Sequence, residues 1–378
     1  MKTKIKILYI IATLSIGGTE KQLIELVKIL DREKYESAVC CLTRGGPLEK
    51  DLKDAGIRLF ILGKKGKWDF GIIFKLAGLI RQEQPVIVHT FLWTSNTWGR
   101  IAAKLAGVPI IISAERCMVT PWKGYFYRVL DAILSGFSDI IVANSEPVRI
   151  SHIKEEGIHS SKIITIYNGV DVQKFNPNII DAKIQKKLLR LEESLPVIGI
   201  VGRLEKNKGY EYFLEAAKQV LQSKTVKFLI VGDGSLRIKL EKIAGTLGIY
   251  RNILFAGYRE NMAEVLSTID VLVISSLSEG SSNVILEGMA MAKPIVATNI
   301  PSNTELISDG KTGLLVPPAD SDALSESILS LLNNPGLCDK IGREARIYVG
   351  KEYSVLKVKE KTEKLYAYLI KKLKRILR

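Results

Sequence analysis

Residues 271–291 read VLVISSLSEGSSNVILEGMAM. Val271 to Ile274 is a short, mostly β-branched run of the kind that fills a fully buried parallel strand, and Val284-Ile285-Leu286 with Met289-Ala290-Met291 suit a buried helix. The stretch between, Ser278 to Gly288, is therefore a strand-to-helix corner. Gly280 lets the backbone pass close to a ligand, while Ser281, Ser282 and Asn283 are residue types that cap a helix and leave its first N–H groups free. Such groups, around Ser282 to Val284, attract phosphate. Glu279 falls in the loop at the mouth of the sheet, and Glu287 about one turn inside the helix, roughly 6 Å further along at 1.5 Å per residue. A carboxylate presents two acceptor oxygens and matches a vicinal diol. Glu287 is the candidate for a ribose. Glu279 is the candidate for hydroxyls of a transferred sugar, where it also helps stabilise positive charge developing at the anomeric carbon. Alone, Glu287 reads as an ordinary solvated helix residue; the surrounding chain argues otherwise.

Upstream, Val197 to Val201 is a strand followed at once by GRLEKNKG, residues 202–209. Arg203 and Lys208 then sit at the same sheet edge as Glu279, where a leaving diphosphate needs neutralising by a planar guanidinium fork and a compact ammonium. The βα alternation continues through a strand at Lys227 to Val231, a helix at Leu236 to Leu247, a strand at Ile253 to Ala256 and a helix at Met262 to Thr268. After the corner come strands at Ile295 to Thr298 and Gly313 to Val316 and a helix at Ser321 to Leu332. Tyr258, just past the Ile253 to Ala256 strand, is placed to contact a nucleobase, or to pack.

The first half repeats the pattern. Strands are expected at Ile5 to Ile11, Tyr35 to Leu42, Arg58 to Leu62, Val86 to His89, Ile110 to Ser113, Ile140 to Ala143 and Ile163 to Tyr167, with helices between, including Arg100 to Ala106 and Tyr125 to Phe137. Gly17-Gly18 joins the first strand to its helix and could let that loop press against a pyrophosphate or sugar; alone it is a tight turn. The expected division is a domain at 1–172, a linker at 173–196, a second domain at 197–354, and a basic terminal helix at 355–378. Two doubly wound domains facing one another would leave a ligand cleft between the carboxyl ends of their sheets.

A chain of 378 residues is too long for one ordinary core, and its 47% hydrophobic and 25% charged residues describe a globular protein. Four cysteines without CxxC spacing and three histidines without a zinc-site partner point to a reducing compartment and no metal site. Lysines interrupt the apolar N-terminal run as a first strand requires, which argues against a signal peptide and for a cytoplasmic protein. The net charge is +15, and residues 351–378 hold ten Lys or Arg against three Glu. With leucines three or four apart, that tail reads as a basic amphipathic helix for an anionic membrane surface or a partner, or as a solvated helix face. Nucleic acid is not expected, since the basic residues are not interleaved with stacking aromatics. Three further motifs fail: Gly310-Lys311-Thr312 lacks the upstream glycine of a phosphate loop, Gly232-Asp233-Gly234 lacks its third glycine, and Asp320-Ser321-Asp322 suits a helix cap better than a metal.

GGTE at 17–20, NGVD at 168–171, GRLEKNKG, VGDGSLR, FAGYRE, SEGSSNVILEGMAMAKPIVAT and DGKTGLLVPPAD together resemble glycosyltransferase family 4, the retaining group-1 enzymes of GT-B fold. The resemblance implies an α/β, GT-B architecture of two Rossmann-like doubly wound domains, and transfer of a sugar from a nucleotide sugar with no metal or other cofactor. It implies that Arg203 and Lys208 hold the diphosphate, Glu279 the sugar, Glu287 the ribose, and backbone around Ser282 to Val284 the phosphates, and that the final helix crosses back onto the first domain. Where many relatives carry a histidine after the strand matching Ile110 to Ser113, this chain has Glu115-Arg116. His89 either lines the acceptor site, as a catalytic residue, or is a satisfied residue at a strand end. Trp68, Trp93, Trp98 and Trp122 all fall in the first half, as flat surfaces for an acceptor or as core. The expected activity is a hexosyl transfer, from a UDP- rather than a GDP-sugar, to a saccharide or lipid-linked acceptor in cell-surface polysaccharide synthesis. The alternatives are a GT-B sugar-nucleotide epimerase and a non-catalytic basic protein that docks on membrane or nucleic acid.

Overall fold

The computed structural model describes residues 4–66, 68–119 and 124–376. Trp122 lies outside them. The chain forms two compact units, one of Met1–Asn168 with Val355–Arg378, the other of Gly169–Ser354.

The first unit runs β1 (Ile5–Thr13), α1 (Gly18–Ile29), β2 (Tyr35–Arg44), α2 (Glu49–Asp54), β3 (Arg58–Ile61), α3 (Gly71–Glu83), β4 (Ile87–Phe91), α4 (Leu92–Leu105), β5 (Ile110–Glu115), α5 (Tyr125–Ser135), β6 (Ile140–Ala143), α6 (Glu146–Glu156) and β7 (Ile163–Thr165). Its seven strands are parallel in the order β3-β2-β1-β4-β5-β6-β7. Side chains alternate across a strand with period two. Ile7, Tyr9 and Ile11 accordingly face one layer with Leu23 and Val27 of α1, while Leu8 and Ile10 face the other with Leu76 of α3 and Trp98 of α4. Cys40 and Cys41 point to these opposite layers as free thiols, and burial pushes the Cys41 thiol up to about 12.

The second unit opens with residues 169–196, which include the stretch expected as a linker at 173–196. These residues fold with the unit they precede. Val170 N–H donates to Tyr353 O at 2.9 Å, and Arg346 donates to Phe175 O at 2.8 Å and Val172 O at 3.3 Å. Helix α7 (Ala182–Leu188) packs on the later α10, with Lys186 Nζ 3.1 Å from Asp270 Oδ2. Then follow β8 (Val197–Val201), α8 (Tyr210–Ser223), β9 (Lys227–Val231), α9 (Arg237–Thr246), β10 (Ile253–Gly257), α10 (Met262–Ser267), β11 (Val271–Ile274), α11 (Asn283–Ala290), β12 (Ile295–Thr298), α12 (Pro301–Thr304), β13 (Leu314–Val316), α13 (Ser321–Asn333) and α14 (Pro335–Glu352). The six strands are parallel in the order β10-β9-β8-β11-β12-β13. Asp320 caps α13, its Oδ1 accepting from Ala323 N–H at 2.9 Å, so the Asp-x-Asp there is a helix start.

The last helix, α15 (Val355–Ile376), belongs to the first unit. Its apolar stripe packs on the protein as far as Leu373; the Ile376 side chain and Leu377 lie outside the described residues. Leu365, Tyr366 and Leu369 are buried in the core beside α1, each such apolar side chain contributing about 1.5–3 kcal/mol. Among the described residues its solvent side carries lysines, including Lys371 and Lys372, together with Leu356 and Tyr368.

His89 lies inside this core. It is 3% exposed, its Nδ1 is 2.9 Å from Tyr366 Oη, which is itself 3.1 Å from Tyr9 Oη, and its Nε2 has no hydrogen-bond partner among the described residues. Burial, reinforced by the Arg116 charge, pushes the imidazole down to about 3. The ring is enclosed by Tyr9, Phe91 and Tyr366, so the structure places His89 in the core and not on an open surface. Below pH 6.5 the unfolded chain takes up a proton that the folded ring refuses. Stability is therefore complete above pH 6.5 and falls, by about 1.4 kcal/mol per pH unit from this group, as pH drops toward 3. His152 acts in the opposite sense. Burial opposes its protonation, but the carboxylates of Glu115 and Glu156 outweigh burial and raise it, so its contribution is present below pH 6.5 and fades as pH rises through the folded value. Urea denaturation at pH 5 and pH 7 is expected to show a smaller acid-side loss for His89→Gln than for the native chain, and a larger one for His152→Gln.

Candidate active site

β8 is the first strand of its sheet, and its two neighbours, β9 and β11, lie on opposite sides of it. The chain thus leaves β8 in one direction and later returns on the other. That topological switch opens a crevice at the carboxyl ends of the two central strands. The loops that border it are Gly202–Gly209 after β8 and Ser275–Ser282 after β11.

These loops are sewn together. Ser275 Oγ donates to Lys208 O at 2.9 Å, Leu277 N–H to Asn207 O at 2.7 Å, and Asn207 Nδ2 to Ser278 O at 3.2 Å. Gly209 has φ +65°, and a Cβ there would stand 2.0 Å from Ser275 O, so both its conformation and its neighbour require glycine. Gly232, in the motif that fails as a dinucleotide fingerprint, serves a similar end: a Cβ would meet Gly202 O at 1.9 Å.

In the recess so formed, Lys208 Nζ is paired with Glu279 Oε1, and Ser276 Oγ donates to the same oxygen at 2.7 Å. Their side chains are 20% and 11% exposed. The recess is small and is walled by Tyr210, Ser275, Ser276 and Ser282. Tyr210 Oη donates to Gly202 O at 2.8 Å, and burial, with the Glu279 charge, raises its phenol far above the ordinary value. A cation and a carboxylate are thus held in direct contact in a partly dry pocket, where charge acts more strongly than in water.

Arg203 departs from expectation. It lies in the same loop, but its side chain is 72% exposed and pairs with Glu205 Oε1 at 3.0 Å. A long side chain on an open loop takes the nearest carboxylate, so the Arg203–Lys208 clamp is not assembled here.

The helix start is as expected in place and different in detail. Ser282 is the N-cap of α11, and its Oγ accepts from Ile285 N–H at 3.4 Å, so one of the terminal donors is already used internally. Ser281, Asn283, Val284 and Glu287 are partly exposed. Gly288 sets the depth of the helix, since a Cβ there would meet Leu272 Cδ2 at 2.3 Å. Tyr258, 46% exposed, follows β10, the edge strand three steps from β11, about 14 Å away at ~4.8 Å per strand. It does not line the recess.

The first unit has its own switch, between β1 and β4. Gly17 is the N-cap of α1 and Gly18 its first residue. A Cβ on Gly17 would lie 2.2 Å from Glu20 Oε2, and Ser15 Oγ donates to Glu20 Oε1 at 3.4 Å. The glycine loop closes over the chain's own carboxylate.

Ser275, Ser276, Asn207 and Tyr210 went unread in the sequence. The available signal was the abrupt change from Val271–Ile274 to two hydroxyl residues at the strand's end.

Two family models match, Glycosyltransferase Family 4 over residues 16–174 and Glycosyl transferases group 1 over residues 195–334. Among similar curated proteins is an Escherichia coli UDP-Gal:alpha-D-GlcNAc-diphosphoundecaprenol alpha-1,3-galactosyltransferase, 27% identical and covering 97% of this chain and 98% of that one. The Staphylococcus aureus capsular polysaccharide biosynthesis glycosyltransferase CapM is 26% identical, covering 80% and 82%. Of solved structures, Anabaena HepE with UDP-glucose superposes with TM-score 0.86 at 21% identity, over 96% of this chain and 99% of that one. Sucrose-phosphate synthase from Thermosynechococcus elongatus gives 0.82 at 18%, over 97% and 99%. With two parallel α/β units, a paired lysine and glutamate at the second unit's switch point, and models matching both halves, this chain belongs to the family 4, group 1 glycosyltransferases of GT-B fold.

Proposed function

We propose that this enzyme transfers a hexose, with retention and without a metal, from a UDP-sugar to a saccharide or lipid-linked acceptor in cell-surface polysaccharide synthesis, on the cytoplasmic side of the membrane. The observation that carries the reading is the Lys208–Glu279 pair, with Ser276, beside the start of α11. UDP is favoured because the E. coli relative is named for UDP-Gal and HepE was solved with UDP and UDP-glucose.

In this reading the donor diphosphate sits over the start of α11, whose dipole and remaining N–H groups favour negative charge. Lys208 neutralises the leaving oxygen. Arg203, exposed and paired with Glu205, swings from that carboxylate to the diphosphate. Glu287 takes the ribose hydroxyls, Tyr258 approaches the base, and Glu279 takes hydroxyls of the sugar. The bond from the anomeric carbon to the phosphate oxygen breaks. The acceptor oxygen forms its bond on the same face, and its proton passes to the departing diphosphate. The first unit, with its Gly17-Gly18 loop, receives the acceptor.

A donor screen tests this. Purified protein with UDP- and GDP-sugars is expected to release UDP from one UDP-sugar at least tenfold faster when membrane extract supplies acceptor. Proton NMR of the product should show the donor's anomeric configuration. Conversion of the nucleotide sugar to an epimer without acceptor overturns the transferase reading, as does salt-sensitive lipid or nucleic-acid binding with no nucleotide-sugar affinity.

A further inference from the structure

Leu365, Tyr366 and Leu369 of α15 are buried, and the first unit exposes aromatic rings elsewhere. Trp68 and Phe70, ahead of α3, are 49% and 59% exposed and stack with ring centroids 6.2 Å apart at 21°. Phe70 also stands edge-on to the buried Trp98 at 5.6 Å, which holds the pair in place. Phe74 on α3 is 76% exposed, while Ile72, Leu76, Ala77 and Ile80 make that helix's buried stripe. All three rings stay largely exposed.

A second patch opens α5. Tyr125 and Phe126 are 84% and 63% exposed, and Ile133, two turns on from Phe126, is 63% exposed. All strands of the sheet are parallel, so β3 and β5 end on the same edge, and the segments that lead into α3 and α5 both start there. Helix α4 packs between α3 and α5 in the same layer. Two interhelix spacings of about 10 Å place the patches roughly 20 Å apart. That breadth exceeds one saccharide ring.

Charge identifies the occupant. Residues 64–75 hold four lysines and one aspartate, and Lys65 and Lys75 are exposed among the rings. A second copy of a chain carrying +15 would bring like charges together. Aromatic rings and lysines intermixed on one rim match the headgroup layer of an anionic bilayer, where rings sit at the interface and each lysine gains electrostatic attraction.

We propose that the first unit docks on an anionic lipid bilayer through this aromatic rim, formed ahead of α3 and at the start of α5, at the sheet edge that holds the unit's switch point. The proposal rests on the lipid-linked branch of the acceptor reading and names where such an acceptor is met. Flotation of the full chain with vesicles tests it without any sugar transfer. Binding to phosphatidylglycerol/phosphatidylcholine vesicles is expected to exceed binding to phosphatidylcholine alone at least tenfold. A Trp68→Ser/Phe70→Ser/Phe74→Ser variant and a Tyr125→Ser/Phe126→Ser variant should each lose at least tenfold. Lys371→Glu/Lys372→Glu on α15 should change binding by less than threefold. UDP affinity, measured by calorimetry, serves as the check that each variant is folded. Rim variants that bind vesicles like the native chain overturn the proposal, as does binding that follows the α15 charges alone. A native dimer in light scattering that the rim variants dissociate, with no vesicle affinity, also overturns it and assigns the rim to a second copy. Vesicle binding that persists when the donor screen fails separates this proposal from the enzymatic one.

Discussion

Glu279→Gln and Lys208→Met are each expected to lower kcat by about 10²–10³ while the protein stays folded. Both side chains are mostly buried in a recess framed by backbone hydrogen bonds that neither substitution removes. The isosteric Gln keeps the Ser276 contact and the shape of Glu279 and removes only its charge. Methionine keeps the stem of Lys208 and removes its ammonium. Because the two groups meet at one oxygen, their losses should not add: the double variant should be only slightly worse than the worse single one. Single-turnover consumption of the UDP-sugar, with thermal unfolding alongside, checks this. Turnover within threefold of the native enzyme in either single variant removes the catalytic role proposed for that residue.

Arg100→Ala is expected to destabilise the first unit by about 3–5 kcal/mol, among the largest effects of any single substitution away from the recess. The guanidinium is 1% exposed. Its Nε donates to Ser113 Oγ at 2.7 Å and Ser138 Oγ at 3.1 Å, one terminal nitrogen donates to Glu115 Oε1 at 3.2 Å, and the other lies 3.8 Å from Asp131 Oδ1. Removing the cation takes a buried positive charge from two largely buried carboxylates, with side chains 12% and 4% exposed. An apolar replacement of both partners of a buried pair avoids that cost. Arg100→Met with Asp131→Leu should therefore recover part of the loss, and urea denaturation of the three proteins measures it. A loss below 1 kcal/mol for Arg100→Ala would mean that water or a rearranged Lys reaches these acids.

Much of the fold was legible because several of its strands are buried on both faces. Val197–Val201, Val271–Ile274 and Ile140–Ala143 are continuous apolar runs, and the structure reproduces their bounds. Helix α4 was read eight residues late, at Arg100. Its first turns, LWTSNTWG, are poor helix formers, and they are helical because Ser95, Asn96 and Trp98 are buried: Asn96 accepts from Thr90 Oγ1 at 2.7 Å and donates to Ala114 O at 3.1 Å. Helices α6, α7 and α14 went unread for related reasons; α7 is one short turn pair held by Asp181 at its cap and Lys186 on Asp270. The terminal helix was visible as an amphipathic pattern, but period alone cannot say what an apolar stripe packs against.

From the sequence alone came the two βα series, the helix start at Ser282, the cap at Asp320, and the residue types of the site. Local forces set these: backbone propensity, capping and burial period act over a few residues. Strand order, by contrast, depends on pairings across the whole chain. Only it puts β11 beside β8, so that Lys208 and Glu279, 71 residues apart, share a recess while Arg203 stands in solvent and His89 sits beneath Tyr366. Contacts of that separation are decided by which surfaces bury together, and no window of sequence contains both partners.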